Sequence, residues 1–181
     1  AVAEKSSEMT MLAKLGACTG DMVVNYKIYQ GLESCGALLK AYAEERNPKE
    51  IAEAVLDGTE RHELQHQIDG PHLPIAGAVL DYMEAYGPDE QDKVNREVSA
   101  FLAEMTTDGM APKLALVQLS QYLFSSEDQN NTYAKAAVVV FEALADESIR
   151  KGSHVDGGKL WPAYDKLWNQ SDDKLRARAR E

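Results

Sequence analysis

Glycine and proline punctuate this chain at a few tight points, and between them the apolar residues recur at steps of three and four. The breaks fall at Gly16–Gly20, Asn47–Pro48, Gly70–Pro74, Gly87–Pro88, Gly109–Pro112 and Gly152–Gly158. That spacing is the period of an amphipathic helix. Pro48 suits a first helical position, with Asn47 as its N-cap, and Gly70–Pro71 stop the segment, which predicts a helix near 48–69. "LPIAGAVLDYMEAYG" reads as a shorter helix closed by Gly87. "PDEQDKVNREVSAFLAEMTTDG" reads as another, with Pro88 and acidic residues in its first turn. Further helices are expected at about 4–15, 21–45, 112–123, 129–150 and 158–169. Met22–Gln30 fits strand and helix equally. The fold expected is mainly α, a single helical domain over 1–181 with little or no β-sheet.

Bulk properties narrow the function classes. The chain has 181 residues, 44% hydrophobic and 27% charged, enough for one domain with a real core. A net charge of −11 repels phosphate backbones and anionic membranes, so nucleic acid is not an expected partner. The basic end "DKLRARARE" reads as a solvated helix end or tail. The longest apolar runs, "AAVVVFEAL" and "IAGAVL", are far too short to span a bilayer. The chain opens on "AVAEKSSEM" without Met, which leans toward an exported chain trimmed at its start. Cys18 and Cys35 permit one disulfide and demand none.

"TERHELQHQIDGPH" holds three of the four histidines. His62 and His66 lie four apart, so on a helix they share one face and can reach one cation. Ile51, Val55 and Gly58 or Thr59 lead into them at steps of three or four, which puts both histidines on the core-facing stripe. His-Glu-x-x-His should arise by accident in well under about 1% of chains of this composition. The intervening Glu63 also has a chemical use, as the base that deprotonates a metal-activated water.

"HELQH" resembles the active-site helix of zincin metallopeptidases. The resemblance implies zinc as cofactor, a peptide or protein substrate, His62 and His66 as ligands and Glu63 as general base. A catalytic zinc needs a third protein ligand. His72 stands ten residues after His62, as in metzincins, but Asp69 occupies the place of their turn glycine and no Met-turn follows; Met83 and Met105 read as core. "NREVSAFLAEM" resembles the second helix of gluzincins, which makes Glu97 the third ligand. The residues support this choice independently. Val94, Val98, Phe101 and Met105 form an apolar stripe that includes Glu97, and a carboxylate aimed at a core needs a compensating charge. The small Ala100 would let the two helices approach. Glu97 is therefore favoured over His72, with a buried ion pair to an arginine such as Arg61 as the plain alternative.

Glu104 lies two turns beyond Glu97 on the same side, either supporting a ligand or binding itself. Asp69 either hydrogen-bonds a ligand histidine or ends its helix. Tyr82, Tyr86, Tyr133 and His154 are conceivable transition-state donors, and Trp161 and Trp168 read as core anchors or a cleft rim. The function expected is a zinc metallopeptidase. The alternatives are a non-catalytic helical metal-binding protein, or a ferritin-like carboxylate site, for which the second Glu-x-x-His is missing.

Overall fold

A computed structural model describes residues 40, 44–70, 73–124, 131–151 and 154–181. The expectations for Cys18, Cys35, His72, Met22–Gln30 and the helix at 4–15 lie outside these residues, as do nearly all of the helix at 21–45 and the His154 side chain. The described part is mainly helical, as the apolar spacing predicts. Its helices are α1 (Pro48–Asp69), α2 (Gly77–Tyr82), α3 (Pro88–Met105), α4 (Ala111–Phe124), α5 (Thr132–Ala145), α6 (Gly157–Trp168) and α7 (Asp172–Arg178). Two-residue strands, β1 (Arg150–Lys151) and β2 (His154–Val155), pair antiparallel between α5 and α6.

The start signals work as expected. Asn47 Oδ1 accepts the Lys49 N–H at 3.0 Å, and Pro48 follows at a position whose missing N–H costs nothing. Gly70 ends α1 at φ 55°, a conformation that favours glycine. Gly87 and Pro88 open α3, with Asp89 and Glu90 in its first turn.

Three segments differ from expectation. The helix expected over "LPIAGAVLDYMEAYG" forms only at Gly77–Tyr82. Side chains of α3 capture the backbone on either side of it. Ala76 N–H donates to Asn95 Oδ1 at 3.0 Å, and Asn95 Nδ2 donates to the Pro74 carbonyl at 3.1 Å. Gln91 Nε2 donates to the Met83 and Tyr86 carbonyls at 3.0 and 3.1 Å. Helix α5 stops at Ala145 rather than running to 150, because Asp146 turns left-handed at φ 55°. Glu142 then gathers the chain beyond it, accepting from Ser148 Oγ, Ile149 N–H and Arg150 Nε, each at 2.9 Å. The basic end is docked rather than solvated. Leu175 is fully buried, Arg176 donates to the Thr107 and Gly109 carbonyls at 3.1 and 3.0 Å, and Arg178 donates to the Leu144 carbonyl.

The core runs through α3, α4, α5 and α6. Val94, Val98, Phe101 and Met105 are all buried, as their spacing predicts, and Met83 joins them. Ten residues of α5, from Ala134 to Ala145, are buried, so this helix is the central element. Trp168 is buried and Trp161 half-buried, each stacked on Tyr164 with ring centroids 6.1 and 5.8 Å away. Both tryptophans are core anchors. Helix α1 is attached by a narrow stripe. Ile51, Gly58 and His62 are buried along it, while Leu56, Leu64 and Ile68 on its outer side are exposed.

Candidate metal centre

The stripe that carries α1 onto the core ends in imidazoles, and α3 crosses beneath it. Gly58 makes the crossing close: a Cβ there would meet Glu104 Cγ at 3.2 Å and Oε1 at 3.3 Å. The absent side chain leaves room for a carboxylate against the α1 backbone, one turn ahead of His62.

Three donors converge at this crossing. His62 Nε2 and His66 Nε2 are 3.3 Å apart, and Glu97 Oε2 lies 3.4 Å from the first and 3.6 Å from the second. Zinc bound tetrahedrally at 2.0–2.1 Å needs its ligand atoms about 3.3 Å from one another. The donor triangle therefore has the edge lengths of one face of such a tetrahedron. The donor chemistry fits as well, since imidazole nitrogen and carboxylate oxygen are both zinc ligands. Glu97 Oε2 is buried and without a hydrogen-bond partner among the described residues, as such an atom would be if a cation completed it. Among the described residues this is the only group of three such side chains able to hold a metal.

Glu104 approaches from the other side of the His62 ring, its Oε2 3.6 Å from Nδ1. Its side chain is only 6% exposed. A carboxylate at Nδ1 favours the tautomer that leaves the Nε2 lone pair free for the donor triangle. Without a metal the same surroundings favour a proton. Burial alone would lower the His62 pKa, but Glu104 and then Glu97 outweigh it and raise it from 6.5 to about 9. The His62 ring also packs edge-on to Phe101, with centroids 5.1 Å apart.

The site opens into a cleft of about 630 Å³ lined by four helices. Thr59, His62, Glu63 and His66 come from α1. Lys93, Arg96, Glu97, Phe101 and Glu104 come from α3, and Gln118 and Tyr122 from α4. Thr132 and Tyr133 open α5. Glu63 is exposed on the cleft, beside the histidines that flank it in sequence.

Other expectations sort cleanly. Arg61 lies in a separate hollow with Asp57, Glu60 and Arg180, so the ion pair considered for Glu97 is replaced by the two histidines. Asp69 does not support a ligand imidazole. Its Oδ1 accepts from Gln65 Nε2 at 2.6 Å and Ser99 Oγ at 3.2 Å, which ties the end of α1 to α3. Tyr82 sits under the Arg150 guanidinium and Tyr86 under the Lys135 ammonium, and neither lines the cleft. Tyr133 does line it. The tryptophans form no part of its rim.

Sequence reasoning missed Tyr122. Its ring is 6.1 Å from Phe101 and stacks on Tyr133 at 5.7 Å, and its phenol pKa is raised by burial, with Tyr133, Glu97 and Glu104 adding to the effect. The available signal was Gln118 and Tyr122, four apart, breaking the apolar face of "LALVQLSQYLF".

No family model matches the chain, and no curated protein or solved structure matches it.

Proposed function

We propose that the protein is a zinc-dependent peptidase, with His62, His66 and Glu97 holding the metal and Glu63 as general base. The observation that supports this most directly is the donor triangle, whose edges of 3.3, 3.4 and 3.6 Å suit tetrahedral zinc and whose three residues line the cleft. Zinc held there supplies Lewis acidity, making water nucleophilic near neutral pH and polarising a peptide carbonyl. Glu63, exposed on the cleft, takes the proton from the attacking water and returns it to the leaving amine. Glu104, 3.6 Å from His62 Nδ1 on the far side of the ring, would favour the tautomer that leaves Nε2 free to bind a metal. Among the described residues neither strand lines the cleft, and helix-borne side chains would grip the substrate there.

Metal analysis of purified protein tests the ligand set. Wild type should hold one zinc per chain, and Glu97→Ala should lose most of it under chelator competition. Unchanged zinc in that variant would remove Glu97 from the site. The catalytic role is tested with a broad peptide library on the zinc-loaded protein. Cleavage should fall by at least a hundredfold in Glu63→Gln while zinc is retained. A zinc-loaded wild type that cleaves nothing would leave a binding protein and not an enzyme.

A further inference from the structure

We propose that Lys93 selects the substrate of this cleft by binding a peptide carboxylate one or two residues from the bond to be cut. This deepens the zinc-peptidase reading and rests on it. Lys93, Glu97, Phe101 and Glu104 follow one another at steps of four, four and three, so they share the face of α3 that lines the cleft. Lys93 stands one turn before Glu97, about 6 Å along the helix axis. An extended peptide advances roughly 3.3–3.6 Å per residue, so a chain laid along α3 from the donor triangle reaches Lys93 within one or two residues.

The charges of the cleft leave Lys93 unmatched. Its carboxylates, Glu63, Glu97 and Glu104, are arranged around the histidines. The other cation on the cleft side of α3, Arg96, is held by Asp92, with Nε 2.8 Å from Oδ2. Glu90, three residues before Lys93, is taken by the buried Lys135. Asp89 and Glu97, four residues to either side, are in range for a helical ion pair, yet among the described residues no carboxylate lies within ion-pair distance of Lys93. In a chain of net charge −11, a cation beside the proposed scissile position that pairs with neither neighbour is placed to meet an anionic ligand. On a peptide that anion is a carboxylate, either the C-terminus or an acidic side chain.

Three short peptide hydroxamates, titrated against the full zinc-loaded chain, test this and separate the two sources. The first is uncharged except for a free C-terminal carboxylate. The second is amidated and carries Glu, and the third is amidated and carries Gln in its place. At low salt the first or the second should bind wild type about tenfold more tightly than the third, and whichever does so names the source. Lys93→Gln should abolish the preference and Lys93→Arg should keep it. Equal binding of all three to wild type, or a preference that survives in Lys93→Gln, would overturn the role of Lys93 alone. Failure of all three to bind would instead overturn the open metal site, and this inference with it.

Discussion

Replacing Glu104 by Gln keeps the shape of the side chain beneath Gly58 and removes only its charge. In the folded protein Glu104 Oε2 faces His62 Nδ1 at 3.6 Å, while Glu97 faces Nε2 at 3.4 Å. Loss of a carboxylate behind a metal-binding histidine typically weakens metal affinity by about 10–100-fold, which is about 1.4–2.8 kcal/mol. A second effect opposes it. With its pKa near 9, His62 is protonated in the metal-free protein at pH 7, and roughly a hundredfold of apparent affinity goes into expelling that proton. Glu104 is the larger of the two carboxylate influences that hold the proton, so Glu104→Gln lowers the pKa and relieves part of the competition. The two effects separate by pH. In chelator-buffered zinc titrations at pH 9.5, where proton competition has faded, the variant should bind about 10–100-fold more weakly. At pH 7 the deficit should be smaller. An equal deficit at both pH values would refute the proton-competition account, and no deficit at pH 9.5 would refute the support of His62 by Glu104.

Three further outcomes follow from the same geometry. Gly58→Ala should gain about 0.8–1 kcal/mol of helix propensity, offset by pushing Glu104 off its 3.2–3.3 Å contact; zinc affinity should fall with helix content unchanged by circular dichroism, and full stabilisation with unaltered zinc binding would show that Glu104 is not confined there. In the metal-free protein the raised His62 pKa contributes stability that is complete below pH 6.5 and is lost as pH rises through about 9; urea midpoints should show that fall in wild type and not in His62→Gln, and parallel curves would contradict it. Glu142→Gln should cost about 1.5–3 kcal/mol, because it weakens the carboxylate that gathers Ser148, Ile149 and Arg150; a calorimetric shift below about 1 °C would show those bonds to be dispensable.

What was legible in the chain depended on how local its cause was. Asn47–Pro48 and Gly87–Pro88 mark helix starts by rules that act within a few residues, and both hold. The short α2 was not legible, because Asn95 and Gln91, on a later helix, take the hydrogen bonds that a longer helix would have made. The early end of α5 was hidden although its cause is local, because the left-handed residue is Asp146 and no glycine or proline stands there to announce it. Glu97 could be read because a carboxylate in an apolar stripe is a conflict visible in sequence. Tyr122 could not be picked out with the same ease, since a tyrosine in an apolar helix is normal core material. Asp69 ends its helix, one of the two roles expected of it, but its tie to Ser99 was hidden because that partner lies thirty residues away on another helix.

The two bonds of Asn95 to Pro74 and Ala76 carry a consequence for the candidate metal centre. Thirty-one positions separate His66 from Glu97. Were that stretch slack, the carboxylate would reach the histidines only as often as loop closure allowed, and its effective concentration would be low. Asn95 sits two residues before Glu97, itself buried, and fastens the returning chain just ahead of α2. The connection that matters is then the short one from Gly70 to Pro74. The same asparagine that cuts α2 short thus closes the excursion from Pro74 to Asn95 and raises the local concentration of Glu97 at the histidines.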